Sequence, residues 1–500
     1  MANSIWLKAS PVRVARALEG HSALALAVAG LIYILCISGA LLVFNHELQR
    51  WEQPGAPELT TLSPEATARA AAAALIADDA PTSHLFVQMP TPDLPRVVVT
   101  TDNRAFFADA DGALAGAEAH PWTQFVLDLH YYLHLPSTLG LTVVGALGVM
   151  LLGLSITGFL AHPRIFRDAF TFRKGAGRLT RADLHNRLSV WTAPFHISSA
   201  LTGAMLGLAS ILGFAIAAQN FDGDIGAVFD PIFGEEPSPD ERPAPLAAIE
   251  RPLAYMAAEY PDIAVNYVVI HDPETAGQHV SVIGLHERRL IFGEYYNFDA
   301  TGAFTGTAGL ADGTVGQQIA AATYQAHFGS FGGFPVKAAY VVFGLTLSVI
   351  AASGMSVYFV RRREQGRAAP RLESAWAGVV WGAPAALALT MTGSVTGAVP
   401  AAGLVPLFWL TVTATLLGGF WAGNRSAVAT ALRVAGGVAL LCGTATHALV
   451  NLSDFSSPAA YGVSGAFLLI AAAALADPLR ATLARRPEPK EAEAFVPPAQ

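Results

Sequence analysis

Four of the fourteen histidines in this 500-residue chain fall into two pairs by spacing. His21 and His185 each precede a glycine by 18 residues, Gly39 in SGA and Gly203 in TGA. His130 and His327 precede Gly158 and Gly354 by 28 and 27 residues. Two neutral imidazoles that face each other across a bundle core can supply both axial ligands of a b-type haem. One pair at each face of a membrane gives two redox centres in line across it, and the activity implied is transmembrane electron transfer. The competing reading is that interfacial histidines anchor or cap helices, but four in matched positions favour ligation.

Three further histidines compete for the same sites. His196 lies eleven residues beyond His185, on nearly the same helical face and about 16 Å deeper. It is read as a ligand, as part of the path between centres, or as a partner for a backbone group freed by Pro194. His134 is four residues beyond His130 and is a rival outer ligand, or a residue contacting substrate or propionate. His46, on the face of His21 and about 37 Å along, is a third outer candidate. Asp128, His130 and His134 could also form a small metal site. His162 and His447 read as structural, and His84, His120, His271, His279 and His286 as residues of outer domains. Cys36 and Cys442 fall within apolar spans, and no CxxCH is present for covalent haem attachment.

What must position these histidines is a set of membrane helices. The chain is 53% apolar and 14% charged, unlike an ordinary soluble enzyme. Eight apolar stretches can cross a bilayer: 18–44, 139–161, 187–217, 336–360, 374–396, 403–421, 430–450 and 459–479. The first is too long, and too poorly followed by a cleavage site, to be a removable signal peptide. Basic residues cluster in 162–186, in 361–371 and after the last span, so these segments and both termini are expected in the cytoplasm. The long segments 45–138 and 219–335 are then outside. The formal net charge of -8 argues against a nucleic-acid partner.

The two outer segments share an order of elements. "SPEATARAAAAALI" (63–76) reads as a helix with Ser63 as N-cap and Pro64 at its first position. Strand-like "HLFVQM", "RVVVTT" and "AFFADADGALAG" follow, the last with Asp-Gly turn chemistry. "PLAAIERPLAYMAAEY", "AVNYVVIH", "QHVSVIGL" and "IFGEYYNFDATGAFTG" repeat that order. The fold class expected is a polytopic α-helical membrane protein whose four-helix core contains an internal parallel repeat, plus two small α+β outer domains. Its parts are 1–44 (first span), 45–138 (outer domain), 139–218 (two spans and a basic loop), 219–335 (second outer domain), 336–365 (fourth span), 374–483 (four-span unit) and 484–500 (disordered tail). Small residues such as Gly20, Gly39, Gly158, Gly203 and Gly354 could let backbones approach and leave room for a flat macrocycle.

"LHNRLSVWTAPFHISSALTGA", "HFGSFGGFPVKAAYVVFGLTLSVIAASGMSVYFVRRR" and "FFADADGALAG" resemble the PepSY-associated transmembrane (PepSY-TM) family of bacterial inner-membrane proteins. The resemblance covers about residues 10–365. It implies PepSY-like periplasmic domains, two b haems held by His21, His185, His130 and His327, and reduction of a ferric siderophore in the periplasm. Siderophores bind iron(III) through hard oxygen donors, so one added electron loosens the metal. Arg16, Arg164, Arg181 and Arg187 are candidate partners for haem propionates. The four spans after residue 374 depart from the shortest members of that family.

No P-loop is present and no GxGxxG follows a strand, so electrons are expected from a separate donor, a cytoplasmic reductase or the quinol pool. Two other functions fit parts of the chain. One is a non-enzymatic regulator whose outer domains bind a peptide or inhibit a peptidase. The other is a transporter, against which the scarcity of acidic residues within the spans counts.

Overall fold

The structure is a computed structural model that describes residues 10–162, 165–170, 178–235, 237–286, 290–454 and 457–483. The long apolar helix α1 (Pro11–Leu42) leads into α2 (Asn45–Glu52) and α3 (Pro64–Ala77). Four strands follow, β1 (His84–Gln88), β2 (Val97–Thr100), β3 (Ala105–Ala108) and β4 (Leu114–Ala117), then α4 (Pro121–Tyr132) and α5 (Ser137–Ala161). After the short α6 (Ile165–Asp168) come α7 (Arg178–Trp191), α8 (Ala193–Asn220), α9 (Gly226–Phe233) and α10 (Glu250–Glu259). Strands β5 (Ala264–His271), β6 (His279–Leu285), β7 (Glu294–Phe298) and β8 (Phe304–Thr307) precede α11 (Val315–Phe328) and α12 (Gly333–Glu364). Helices α13 (Pro370–Val395), α14 (Ala401–Ala422), α15 (Arg425–Val450) and α16 (Pro458–Leu483) complete the described chain. The tail 484–500 and Arg164, Arg173 and Lys174 of the basic loop lie outside the described residues.

Among the described residues, eight helices are long and apolar enough to cross a bilayer: α1, α5, α8 and α12 to α16. The chain is a multi-pass membrane protein. The third span begins at Ala193 rather than near 187, because helix α7 stops at Trp191 and Thr192 intervenes. Pro194 then sits in the first turn of α8, where a missing N–H costs nothing. By density of contacts the chain forms two units, 1–369 with 453–461, and 370–452 with 462–500. In the second unit α13 packs against α14 and α15. Gly378 and Gly382 lie against Thr415, and Gly419 against Ser374, so small residues set the approach.

Outside the spans, the eight strands form one antiparallel sheet in the order β4-β3-β2-β1-β5-β6-β7-β8. Here the expectation of two separate small domains is corrected. The strands of 45–138 and 219–335 share one sheet, joined where His84 to Gln88 pair with His271 to Tyr267. Left apart, β1 and β5 would each be an edge with unpaired N–H and C=O groups; pairing them removes two edges. Helices α3 and α10 cover one face, with alternate strand residues such as Leu85, Val87, Val268 and Ile270 packed beneath them. Ser63 accepts a hydrogen bond from the backbone N–H of Ala66, and Pro64 opens α3. In the turn between β3 and β4, Gly112 has φ +80° with its α-carbon against the backbone of Ala66, a place closed to any side chain.

At the end of the seam three histidines stand in one row. His84 pairs in register with His271, and His271 with His279. The ring centroids are 5.3 and 4.3 Å apart. Burial first, then His279 and His84, holds His271 down at about 4, against an ordinary value of 6.5. The folded state therefore binds fewer protons than the unfolded chain. Its stability is full above about pH 6.5 and declines as pH falls toward 4. Allowing for partial exposure, the loss is on the order of 1–2 kcal/mol. Thermal unfolding followed from pH 7 to 4 should show a steeper fall in midpoint for the wild type than for His271→Asn.

Candidate functional site

Helix α1 carries His21 near one end and Gly39 eighteen residues later, five turns and about 27 Å away on the same face. Each end meets one of the spaced histidine pairs. The rings of His21 and His185 have centroids 6.4 Å apart, and those of His130 and His327 6.2 Å. All four histidines singled out by spacing are thus brought together, two at each end of the bundle of α1, α5, α8 and α12.

The four rings are held in one way. His21 Nδ1 donates to the Leu154 carbonyl at 3.0 Å, and Thr157 Oγ1 lies 3.2 Å away. His130 Nδ1 donates to the Leu35 carbonyl at 3.0 Å, beside Ser38 Oγ at 3.3 Å. His185 Nδ1 donates to the Ile350 carbonyl at 3.1 Å, beside Ser353 Oγ at 3.2 Å. His327 bonds the Ser199 carbonyl and has Thr202 Oγ1 3.1 Å from Nδ1. In each case the carbonyl stands four residues before a glycine and the hydroxyl one before it. A carbonyl only accepts, so Nδ1 carries the proton and the Nε2 lone pair is left to bind a metal.

The glycine beneath each ring makes room for it. A Cβ on Gly39 would meet the His130 ring at 2.7 Å, on Gly203 the His327 ring at 2.8 Å, and on Gly354 the His185 ring at 3.1 Å. Gly158 leaves 3.4 Å to His21. Between the spans at the His130 end lies a cavity of about 270 Å³. Both histidines, Gly39, Gly203, Phe195 and Tyr324 help to line it. Gly145 against Gly207 brings α5 and α8 into backbone contact at its wall.

Helix α2 ties this end together. Glu52 accepts from the N–H of Trp122 (2.9 Å) and of Thr123 (2.7 Å), so a carboxylate caps α4, the helix that presents His130. Burial pushes the Glu52 carboxyl up, and its bonds to Thr123 and Trp122 oppose that. Glu47 takes Lys337 Nζ at 2.8 Å, linking α2 to α12. Arg96, fully buried, donates to the Gln53 carbonyl, and Gln53 Oε1 accepts from Ala119 N–H. Gln49 meets His120, which burial and Arg96 hold at about 4.

The remaining candidates are placed elsewhere. His134 has a left-handed backbone (φ 58°) and stacks on Phe125 at 4.7 Å, outside the cavity lining. His46 sits in α2 beside Glu47. His196 is buried one turn into α8, with Nδ1 3.4 Å from Thr192 Oγ1, its own helix's N-cap side chain rather than a backbone group freed by Pro194. Arg187 donates to the Ala169 carbonyl and lies over Trp191. The supporting residues that spacing did not single out are Ser38, Thr157, Thr202 and Ser353. Their signal is the Ser-Gly or Thr-Gly dipeptide that recurs in all four spans.

The glycine contacts order the effects of substitution. Gly39→Ala and Gly203→Ala overpack against an imidazole and should cost about 1–3 kcal/mol. Gly158→Ala has space and gains up to about 1 kcal/mol of helix propensity. Thermal unfolding in detergent should therefore lower the midpoint for the first two and leave or raise it for the third.

Residues 18–361 match the family described as the PepSY-associated TM region. An uncharacterized protein of Pseudomonas aeruginosa is 27% identical over 321 residues, 61% of this chain and 76% of that relative. With more than half its length matched, and both histidine pairs inside the matched region, the chain belongs to the PepSY-associated transmembrane family.

Proposed function

We propose that this protein is a transmembrane di-haem b oxidoreductase that passes electrons across the bacterial inner membrane to a periplasmic ferric siderophore. The observation that carries the reading is the pair of facing imidazoles at each end of the bundle, all four oriented with Nε2 free. A metal–imidazole bond of about 2 Å on each side, added to the ring radii, accounts for centroid separations of 6.4 and 6.2 Å. Among the described residues no group of three or more His, Cys, Asp or Glu converges to hold a metal. A free ion would find two protein ligands at each end, whereas a haem iron brings its own equatorial nitrogens. The fit is therefore to haem rather than to zinc or copper.

In this reading the first four spans are an internal parallel repeat. His21 and His185 hold the cytoplasmic group, and His130 and His327 the periplasmic one. Bound haem supplies a reversible one-electron couple. The chain's residues do the rest. The carbonyl at each Nδ1 strengthens the imidazole as a donor and fixes its plane. The apolar lining of the outer cavity keeps water from the centre and sets its dielectric. Arg361, Arg362 and Arg363 end α12 on the His21 side, which supports the reading of that side as cytoplasmic and of the sheet as periplasmic. Electrons come from a separate donor, a cytoplasmic reductase or the quinol pool.

Purified protein should give a dithionite-reduced minus oxidised haem b spectrum with two haems per chain. His21→Ala or His185→Ala should remove one haem, and His130→Ala or His327→Ala the other. Protein without a haem spectrum would sink the proposal, as would loss of both haems from every single substitution.

A further inference from the structure

We infer that Tyr324 is the contact through which the outer redox centre meets its acceptor; this rests on the di-haem reading above. The cavity around His130 and His327 is walled almost wholly by buried or half-buried side chains. Among the described lining residues Tyr324 alone is exposed, at 42%. Its ring therefore has one side on the cavity and another on solvent.

An aromatic chain joins that ring to the histidines. His327 and Phe328 have centroids 5.7 Å apart, and Phe328 stacks on Tyr324 at 4.2 Å with planes 21° apart. Tyr131, beside His130, reaches Phe328 at 6.1 Å. Both ligands of the outer pair thus lead to Tyr324 through rings in contact. On the outer side Phe292 continues the contact at 5.7 Å. Gln325 Nε2 donates to the carbonyl of Ile291 at 3.0 Å, which pins that loop to α11.

Next to Phe292 the same flank of α11 opens into a pocket of about 460 Å³ whose lining includes Leu290, Ile291, Val315, Gln318 and Ile319. Val315 and Ile319 are exposed, and none of the described lining residues is charged. Such a seat, as far as its described residues form it, suits the uncharged organic shell of a ferric chelate. The step is a single electron: the reduced outer haem iron becomes iron(III), and the chelate's iron(III) becomes iron(II). No proton or bond is exchanged. The ring is needed for contact and stacking, not for its hydroxyl.

The test uses the full chain in nanodiscs, with neutral iron(III) tris(acetohydroxamate) as oxidant and its redox-inert gallium(III) counterpart as binding probe. With haem content and spectrum unchanged, Tyr324→Ala should slow re-oxidation of the dithionite-reduced outer haem about tenfold. Gallium complex binding by calorimetry should weaken by a similar factor. Tyr324→Phe should stay within about twofold of wild type for both. Ile319→Gln, an exposed and fold-neutral change, should weaken gallium binding and slow re-oxidation as well. Wild-type rates and binding in Tyr324→Ala would overturn the inference while leaving the di-haem reading intact. Unchanged binding in Ile319→Gln would make the pocket a lipid-facing surface and overturn the seat assigned there. A wild-type protein without haem would instead overturn the reading beneath it.

Discussion

Three of the four paired imidazoles give their Nδ1 proton to a backbone carbonyl on a neighbouring helix, His327 bonds the Ser199 carbonyl, and each ring lies above a glycine that leaves room for it. That contact governs the bundle. Carbonyls within an α-helix are already engaged with the N–H four residues on, so a second donor must approach from the side. A glycine one turn later leaves room for the ring, tightly so at Gly39, Gly203 and Gly354 and with space to spare at Gly158. The spans are thereby fixed in rotation as well as in depth: α5 by His21, α1 by His130, α12 by His185 and α8 by His327. A helix that turned by one residue would lose the carbonyl and bring a larger side chain against the imidazole.

The same constraint explains why the extramembrane part is built as it is. His130 and His327 sit at the C-terminal ends of α4 and α11, which run from the sheet into α5 and α12, whereas the carbonyls their rings meet belong to α1 and α8. Their aim depends on how firmly those helices are held. Glu52 does this for α4, and the Thr314–Gln317 capping box with Gln325 does it for α11. The two helices use different devices for one task. Lys337, itself buried and paired with Glu47 and with the more exposed Asp93, connects the α4 support to α12. Breaking that pair would leave a charge unpaired in a buried place.

Much of this was legible in the residues. The eight spans follow from apolar runs, and the four paired histidines from two spacings, because helical period and membrane thickness act locally. The caps at Ser63 and Pro64 are equally local. The hydroxyls of Ser38, Thr157, Thr202 and Ser353 were visible as dipeptides, but a serine before a glycine has no assigned partner until the helices are packed. The single sheet was not legible, since pairing of β1 with β5 joins residues almost two hundred apart and neither strand encodes its neighbour. His134 and His196 resemble the paired histidines in sequence; in the fold His134 has a left-handed backbone and stacks on Phe125, and His196 meets Thr192 of its own helix.

The seam at β1 and β5 has a bearing on how such a chain is kept in one piece. Cut within the loop after α5, it would yield two fragments, each with four strands and one freshly opened edge of apolar strand. Edges of that kind seek the nearest complementary strand, including one from another copy. Covalent continuity thus acts as a tether that raises the local concentration of the correct partner strand above that of any other molecule. The chain's length serves as quality control on assembly: each half is complete only in the company of its own sibling.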